Sequence, residues 1–440
     1  MNKLSKIFQP LLITPKNAKI NHQELTSKSQ RLMLEMGLIR SGSNGMFHLL
    51  PLMQRALEKC ITLIDNSMEE IEGQKLTMPI LTSSELWKKS GRYETAVTEL
   101  LRVTDRHDKE CILSPTHEES ITALLATISP ISYRALPLKL YQITSKFRDE
   151  LKPRFGLLRT KEFLMKDLYT FDTSLDNAKK TYDEVNATYE RLFKRIGVPV
   201  CKVSGDTGIM GGSLSHEYHF AADIGEDTLL HCSNCHFSCN KELTLQNNNE
   251  SCPQCQNQNL QTTQGIEIAH TFVLEDKYTK PLKATYLGTN GKPSSMIMGC
   301  YGIGVTRLVA AALEVLSTEN ELRWPFHLVP FKICFIPPKQ GSKEETTKVK
   351  RLCESLPQQL MDLNSVGRKE LVIDDRTSLT IGKRLLDAKK MGYPLIVVVG
   401  EKAAADNTQL ELHDLTNNNV LLLDTNELLN HLDTRIKELN

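Results

Sequence analysis

The chain lacks the features that would assign it to several specialised classes. In 440 residues no stretch approaches the roughly 20 consecutive apolar residues of a membrane-spanning helix, so we expect no membrane partner. The formal net charge is only +1, which does not favour a protein that coats nucleic acid through charge alone. Balanced charge still permits RNA binding through a local basic patch.

A secreted disulfide framework is also not expected. The chain has eleven cysteines, an odd number, and is far larger than the small domains that such frameworks stabilise. A reducing compartment fits this count. Five of the cysteines fall in one short segment, namely Cys232, Cys235, Cys239, Cys252 and Cys255.

The start of the chain has no acidic residue before Glu24 and no arginine before Arg31. It is basic, and apolar residues recur at helical spacing at Leu4, Ile7, Phe8 and Leu11. We interpret residues 1–29 as a mitochondrial targeting segment, because such segments are amphipathic, basic and poor in acids. The alternative is a frayed basic tail, since targeting segments usually use arginine.

The length predicts two or three domains, and the hydrophobic pattern changes along the chain accordingly. Helices are predicted over 27–37, 52–72, 174–196 and 304–316, with short strands in the mixed region between 73 and 173. After Trp324 and Pro325 four short apolar strands, in FKICFIP, ELVID, LIVVVGEK and VLLLD, alternate with helices near 343–362, 379–391 and 425–438. This alternation predicts a separate α/β domain at 326–440.

The segment LYQITSKFRDELKPRFGLLRTKEFLMKDLYTF (140–171) is dense in paired opposite charges. Two strand-like runs flank the turn-prone 152–156, which predicts an antiparallel hairpin. Arg148 and Glu150 would alternate on one strand and so share a face. The alternative is a surface ladder of salt bridges, each contributing about 0–1 kcal/mol.

A second segment, MIMGCYGIGVTRLVAAALE (296–314), predicts a strand, a glycine-rich turn and a helix. A dinucleotide loop is excluded, because Arg307 stands where the third glycine would be and no N-terminal βαβ unit surrounds it. A cation in the first turn of a helix is disfavoured by the helix dipole unless an anion is bound. Arg307 therefore favours a polyphosphate ligand over a purely structural role.

Together these segments resemble the class II aminoacyl-tRNA synthetases. KFRDE with RTKEF is similar to motif 2 (about 140–171), GCYGIGVTR to motif 3 (about 296–314), and LTMPILTSSELWKKSGR to motif 1 (about 76–92). Within that class LSPTHEE, GGSLSHEYHF and GIEIAHTF resemble the prolyl enzymes, and LSTENELRWP resembles their mitochondrial branch. The resemblance runs from about residue 30 to the C-terminus, with the motifs in the same order.

The resemblance implies an α+β catalytic domain at 30–325 with the antiparallel class II synthetase sheet, and a C-terminal α/β anticodon-binding domain at 326–440. It also implies the ligation of L-proline to the 3′ end of tRNA(Pro) through prolyl-adenylate. Mg²⁺ would accompany ATP. The protein would be a homodimer with motif 1 at its two-fold interface near Pro79, and its compartment would be the mitochondrial matrix.

The family also implies roles for individual residues. Arg148 would hold the α-phosphate and the proline carboxylate, a task that suits guanidinium geometry, and Arg307 would hold the γ-phosphate. Arg148, Glu150 and Arg307 form the expected catalytic set. The expected ATP-binding residues are Arg148, Glu150, Phe163, Glu267 and Arg307. The expected proline-binding residues are Thr116, Glu118, Arg148 and His270.

Two further groups of residues are candidates for binding. LVIDDRTSLTIGKRLLDAKKMGYPLIVVVGEK (371–402) resembles the class IIa anticodon-binding module, in which Asp375, Arg376, Lys383 and Arg384 would face tRNA. A solvated helix start is the alternative. Residues 228–262 form a Cys-rich insert in which Cys232, Cys235, Cys252 and Cys255 have the spacing of a structural zinc ribbon. The alternative is a reduced structural remnant.

Two rival functions are a catalytically inactive paralogue and a free-standing editing deacylase. The first usually loses motif residues, whereas Arg148, Glu150, Phe163 and Arg307 are all present. The second lacks motifs 1 to 3. The stretch between motifs 2 and 3 leaves no room for an editing domain of typical size, so we expect none.

Overall fold

The computed structural model describes residues 2–11, 27–246 and 251–440, and its contacts divide them into two units. The central unit comprises Ser41–Phe47 and Cys60–Ala311. The terminal unit comprises the described parts of Met1–Arg40, with His48–Lys59 and Ala312–Asn440. Among the described residues, no helix combines the length and the apolar character that crossing a membrane requires.

The seven predicted helices are present close to their predicted ranges, and the described residues form five further helices that were not predicted, the longest of them at Glu118–Ile128. In chain order they are α1 (Lys28–Glu35), α2 (Pro51–Glu69), α3 (Ser84–Ser90), α4 (Arg92–Thr95), α5 (Glu118–Ile128), α6 (Leu175–Ile196), α7 (Lys241–Gln246), α8 (Thr279–Leu282), α9 (Val305–Leu316), α10 (Thr347–Asp362), α11 (Ile381–Met391) and α12 (Thr425–Leu439).

The strands are more numerous than the apolar runs indicated. In chain order they are β1 (Asn2–Lys3), β2 (Ile39–Ser43), β3 (Met46–Leu49), β4 (Gln74–Lys75), β5 (Leu81–Ser83), β6 (Leu101–Thr104), β7 (Glu110–Leu113), β8 (Ile131–Ser132), β9 (Leu138–Phe147), β10 (Glu162–Asp172), β11 (Val200–Ser204), β12 (Leu214–Ala221), β13 (Asp227–Cys232), β14 (Ser238–Asn240), β15 (Leu260–Glu275), β16 (Thr285–Leu287), β17 (Pro293–Ser295), β18 (Ile297–Gly304), β19 (Ile333–Ile336), β20 (Leu371–Ile373), β21 (Leu395–Val398), β22 (Leu410–Asp414) and β23 (Asn419–Leu423).

The central unit is built on one large sheet in the order β12-β11-β14-β13-β15-β18-β10-β9-β4. Strands β9, β10, β18 and β15 pair with one another in antiparallel fashion, so the predicted hairpin of 140–171 and the antiparallel class II sheet are confirmed, whereas the short edge strand β4 joins β9 in parallel. The register places Gly302 of β18 between Asp167 of β10 and His270 of β15. Residues from three separated sequence segments therefore meet at the middle of the sheet.

Alternation along these strands separates a packed face from a polar one. Tyr169, Phe171, Phe272 and Met298 are buried in one hydrophobic cluster beside α5. Helix α6 begins where the Ser174 side chain accepts a hydrogen bond from the Asn177 backbone N–H, and it ends at Gly197, whose φ of 82° favours glycine. These caps explain why the polar amphipathic stretch ends where the sequence predicts.

The terminal unit contains the predicted α/β domain. Its sheet has the order β1-β20-β19-β21-β22-β23, in which β19, β20 and β21 are parallel. The core is formed by apolar residues of these strands and of α10 and α12, such as Ile333, Leu395 and Leu432. The fold class predicted for the C-terminal part is confirmed.

The N-terminal residues add a strand to that sheet. Asn2 and Lys3 pair in parallel with Val372 and Ile373, and the Ser5 backbone N–H and hydroxyl donate to the Asp375 carboxylate at 2.9 and 2.6 Å. The helical spacing predicted here yields only a single short turn at Leu4–Lys6. The targeting role of residues 1–29 stays a prediction, and residues 12–26 lie outside the described part of the chain.

Candidate active site

The eight residues predicted to bind ATP or proline all line two adjoining cavities of the central unit. The Glu150 cavity, of about 480 Å³, is lined by Arg148, Glu150, Glu267 and Arg307 among others. The Glu118 cavity, of about 310 Å³, is lined by Thr116, Glu118, Arg148, Phe163, Glu267, His270 and Arg307 among others. Arg148, Glu267 and Arg307 border both cavities, so one ligand can extend from one into the other.

Arg148 lies at the end of the hairpin strand, and not on it. Strand β9 ends at Phe147, so the prediction that Arg148 and Glu150 alternate on a strand is wrong. The backbone instead turns sharply, with the Glu150 N–H donating to the Arg148 carbonyl at 2.8 Å. The turn still directs both side chains to the Glu150 cavity. The Arg148 guanidinium lies 5.4 Å from the centre of the Phe163 ring, and its buried Nε has no hydrogen-bond partner among the described residues.

A chain of ion pairs joins the loop after β9 to the cavity wall. Glu150 pairs with Arg159 at 2.9 Å, and Glu226 pairs with Arg159 and, at 2.6 Å, with Arg154. Burial works to raise the pKa of Glu150, but hydrogen bonds from Arg159 and the Lys152 backbone N–H, together with neighbouring positive charges, outweigh burial and lower the pKa. The alternative of a salt-bridge ladder thus describes part of the loop, although the ladder borders a cavity and not a flat surface.

Arg307 occupies the first turn of α9, where its side chain is 33% exposed. Its Nε donates to the Leu158 carbonyl at 2.8 Å, and its NH1 donates to the Glu267 carbonyl at 3.2 Å and lies 3.7 Å from the Glu267 carboxylate. Glu267 also pairs with His270 at 2.9 Å. Burial works to raise the pKa of Glu267, but the hydrogen bond from His270 and the positive charges nearby, including that of Arg307, together outweigh burial, so the pKa falls well below its ordinary value. Arg307 therefore has a structural partner and also faces both cavities.

Glu118 is fully buried, yet it is surrounded by hydrogen-bond donors. Its carboxylate accepts hydrogen bonds from Thr116 Oγ1 at 2.6 Å, from Arg92 at 3.1 Å and from the Cys300 thiol at 2.9 Å. Burial alone would raise the pKa of Glu118, but the charge of Arg92 and these hydrogen bonds lower it. The Glu118 cavity therefore ends in an ionised carboxylate that suits a cationic ligand.

A buried network that the sequence did not reveal supports this loop. Asp167 accepts hydrogen bonds from Gln142 at 2.9 Å and Tyr169 at 2.8 Å, and pairs with Lys146 at 2.8 Å. The Tyr169 hydroxyl accepts the His117 backbone N–H at 2.8 Å. The network holds the segment between β7 and α5 in place through the His117 backbone. Arg92 was also missed, because its partner Glu118 lies 26 residues further along the chain and only the fold joins them.

His270 closes another side of the Glu118 cavity. Its ring stacks on Phe272 with centroids 3.9 Å apart, and its Nε2 lies 2.5 Å from Ser215 Oγ. With Glu267 on Nδ1, both ring nitrogens have partners. The imidazole is thus held rigidly against the cavity, as expected of a wall residue and not of a mobile acid or base.

The four residues predicted to contact tRNA lie near the start of α11 in the terminal unit. Arg376 pairs with Asp374 through two hydrogen bonds at 2.7 and 2.9 Å, and the half-exposed Lys383 pairs with Asp387 at 2.9 Å. Asp375 accepts the hydrogen bonds from Ser5.

The expectation that Arg384 faces tRNA does not agree with its position. Arg384 is fully buried, and its guanidinium donates to the carbonyls of Asp374 at 3.0 Å and Pro337 at 2.7 Å. Burial lowers the pKa of Arg384. Its guanidinium braces the loop after β20, so it can influence a bound RNA only through that loop.

The Cys-rich segment brings four cysteines together. The Sγ atoms of Cys232, Cys235, Cys252 and Cys255 all lie within 4.8 Å of one another. Cys232 and Cys255 are 3.6 Å apart, and Cys235 and Cys252 are 3.5 Å apart. All four are free thiols, and these distances are far longer than the roughly 2.05 Å of a disulfide bond. The spacing that predicted a metal ribbon thus corresponds to a real cluster.

Comparisons with known proteins agree with this geometry. Residues 101–316 match the model of the tRNA synthetase class II core domain (G, H, P, S and T), and residues 332–435 match that of the anticodon binding domain. The chain is 48% identical to the probable mitochondrial proline–tRNA ligase of Homo sapiens over 93% of this chain and 86% of the relative. It is 47% identical to that of Mus musculus over 96% and 88%.

Bacterial relatives and solved structures extend the likeness. The proline–tRNA ligase of Ehrlichia chaffeensis is 34% identical over 98% of this chain and 99% of the relative. The structure of Giardia lamblia prolyl-tRNA synthetase in complex with prolyl-adenylate aligns with a TM-score of 0.76 at 17% identity, covering 94% of this chain and 82% of that one. That structural likeness establishes the fold alone, whereas the sequence identities establish the family. The chain belongs to the proline–tRNA ligases, a family of class II aminoacyl-tRNA synthetases.

Proposed function

We propose that this protein ligates L-proline to tRNA(Pro) in two steps. ATP and proline form prolyl-adenylate with release of diphosphate, and the prolyl group then passes to the 3′ end of the tRNA. The observation that carries the proposal is the position of Arg148, which borders both the cavity lined by the buried carboxylate of Glu118 and the second cavity that it shares with the polyphosphate candidate Arg307. A guanidinium at that border can hold two anionic reactants together.

Proline fits the Glu118 cavity. Its secondary amine is protonated at pH 7 and carries two N–H groups, which the ionised Glu118 and the Thr116 hydroxyl can accept. Its carboxylate would point to Arg148. Because Arg92 and Cys300 already satisfy part of the Glu118 carboxylate, the buried charge is stabilised before the substrate arrives.

ATP fits the Glu150 cavity together with the Phe163 end of the Glu118 cavity. Adenine would stack on Phe163, the α-phosphate would meet Arg148, and the γ-phosphate would meet Arg307. Glu267 holds the Arg307 guanidinium in place. Mg²⁺ bound with ATP would neutralise phosphate charge, and the carboxylates of Glu150 and Glu267 that line this cavity are the oxygen ligands that Mg²⁺ prefers.

The first step requires no general base, because a carboxylate is already a nucleophile. The chain instead contributes positioning and charge stabilisation. Arg148 would hold the proline carboxylate against the α-phosphorus and stabilise the negative charge that develops on the α-phosphate oxygens. In the second step a ribose hydroxyl of the tRNA terminus attacks the carbonyl carbon of prolyl-adenylate and AMP leaves.

For tRNA recognition we propose the surface formed by Asp375, Arg376 and Lys383, with Arg384 as an internal brace. Lys383 offers a flexible charge to phosphate, whereas Arg376 is already oriented by Asp374. Release of Asp375 from Ser5 would make its carboxylate available to a base.

We also propose the mitochondrial matrix as the compartment, with residues 1–29 taking part in targeting. The support is the name of the mammalian relatives and the basic, acid-free start of the chain. A homodimer with Pro79 near its interface and a structural zinc ion at the four-cysteine cluster complete the proposal. The zinc proposal is supported by four thiols within reach of one ion.

Proline-dependent exchange of labelled diphosphate into ATP tests the activation step. We expect a higher rate of exchange with L-proline than with any other amino acid supplied at the same concentration. A protein that binds ATP but shows no exchange with any amino acid would be an inactive paralogue. Hydrolysis of aminoacyl-tRNA without exchange would indicate an editing deacylase.

A further inference from the structure

The two Cys-x-x-Cys turns have the same backbone geometry although they are separated in sequence. In the first, the His236 N–H donates to the Cys232 carbonyl at 2.9 Å, and in the second the Gln256 N–H donates to the Cys252 carbonyl at 2.8 Å. His236 and Gln256 have φ of 59° and 60°, a conformation that residues other than glycine rarely adopt. Two matched turns that direct four sulfur atoms to one point constitute a built site.

The cluster fits Zn²⁺ in its chemistry and size. Four thiolates satisfy tetrahedral zinc, and Zn–S bonds of about 2.3 Å give sulfur–sulfur edges of about 3.8 Å. The two sulfur pairs, at 3.5 and 3.6 Å, are close to that edge. Cys232 and Cys252 are fully buried, and the only large apolar side chains buried on β13 are Leu229 and Leu230. The cysteines therefore make up much of the core of this segment.

The cluster is connected directly to the ATP side of the active site. Strand β13 starts at Asp227 on the wall of the Glu150 cavity and ends at Cys232 in the cluster. Strand β15 starts at Leu260, shortly after Cys255, and reaches the same wall at Gly265, with Asp227 opposite Gly265 and Cys232 opposite Leu260. One ladder thus has the cluster at one end and the cavity wall at the other.

The wall end of this ladder holds groups that act on the cavity. Glu226, directly before β13, pairs with Arg154 and Arg159 of the loop after β9. Glu267, two residues after Gly265, orients Arg307. A change in the register or twist of β13 against β15 would therefore shift both the loop and the γ-phosphate candidate.

We propose that Cys232, Cys235, Cys252 and Cys255 hold one Zn²⁺, and that this ion fixes the β13–β15 ladder so that Glu226 and Glu267 are positioned on the ATP side of the site. The ion takes no part in the chemistry. The positioning part rests on the proposed function, whereas the metal part does not depend on it.

Metal analysis and ATP binding test the two parts separately. Full-length protein prepared without chelator should carry about one zinc per chain. Cys255→Ser should lose the zinc and weaken ATP binding, measured by calorimetry, by about tenfold. In the exchange assay the KM for ATP should rise while the KM for proline stays within about twofold of the wild-type value. The matched control is Cys201→Ser, a thiol on β11 outside the cluster, which should change neither zinc content nor ATP affinity.

A conservative variant separates metal binding from general damage. Cys255→His keeps a zinc ligand, so it should retain zinc and near-normal ATP affinity. If Cys255→Ser does not fold, stepwise removal of zinc from the wild-type protein with a chelator, followed by its return, should lower and restore ATP affinity in parallel.

Wild-type protein without zinc would overturn the metal assignment. Zinc-free, folded protein with unchanged ATP affinity would overturn the positioning role. Failure of the proposed function would differ from both, because the wild type would then contain zinc and bind ATP but show no proline-dependent exchange.

Discussion

Replacing Arg148 with alanine is the most informative single change at the site. The guanidinium borders both cavities, and its buried Nε has no hydrogen-bond partner among the described residues, so its charge is available to the reactants. Removing a donor from a developing anion costs about 3–4 kcal/mol, which corresponds to a loss of about 10²–10³ in rate. We expect proline-dependent diphosphate exchange to fall by at least that factor.

The same change should affect stability little. The main contact that the variant loses is the one with the Phe163 ring at 5.4 Å, and such a contact contributes about 0.5–1 kcal/mol at a partly exposed site. For a unit of this size that corresponds to a decrease of about 1–4 °C in Tm. Thermal unfolding followed by circular dichroism provides this control, and Arg148→Lys should be intermediate in exchange, because lysine keeps the charge without the planar fork.

The reasoning would be refuted if Arg148→Ala folded normally and exchanged diphosphate within about threefold of the wild-type rate. The charge that stabilises the α-phosphate would then have to come from another residue, and the assignment of motif 2 would fail.

Four further changes test other parts of the account. Glu118→Gln should raise the KM for proline by at least about tenfold and leave the KM for ATP nearly unchanged. The control is Glu119→Gln, which also loses a bond to Arg92 but lines neither cavity, so its KM for proline should stay close to the wild-type value. Burial lowers the pKa of Lys166 from 10.5 to about 7, so the folded state disfavours its charge. The Lys166→Met variant should therefore have a larger free energy of unfolding than the wild type. The difference should be greatest below pH 7, at up to about 5 kcal/mol, and should vanish as the pH rises from 7 to 10.5. Light scattering at micromolar concentration should show a dimer, and an active monomer would contradict the role given to motif 1. Preformed Ala-tRNA(Pro) should decay at its spontaneous rate in the presence of the enzyme, because no separate editing domain is expected to hydrolyse it.

Most of the fold could be predicted because its periodicities are local. The helices at 174–196 and 304–316, the hairpin of 140–171 and the alternating C-terminal strands all lie within a few residues of the predicted ranges. Strands β13 and β14 were not predicted, since the Cys-rich segment has few apolar residues and gains its order from pairing with β15 and from the cysteine cluster.

The residues that line the cavities could be predicted from the sequence, but the residues that hold them in place could be predicted only in part. Thr116, Glu118, Arg148 and Arg307 all reach the cavities, as the motifs indicated. The partners that fix them are distant in sequence, as Arg92 is from Glu118, so no spacing rule could identify them.

Arg384 is a predicted binding residue whose burial could not be foreseen from the sequence. A basic residue near the start of an amphipathic helix looks solvent-exposed in sequence, but the fold brings two carbonyl groups into its reach and buries it completely. Only the packing of the loop after β20 decides which of the neighbouring cations faces outward.

Transfer of labelled proline to tRNA is the measurement that tests the central claim most directly. Purified protein, ATP, Mg²⁺ and a tRNA transcript with a proline anticodon should give acid-precipitable prolyl-tRNA. The product should require ATP, should not form with Arg148→Ala, and should be lost when the terminal ribose hydroxyls of the tRNA are oxidised. Attachment of a different amino acid in preference to proline, or no attachment by a protein that binds both ATP and proline, would contradict the account.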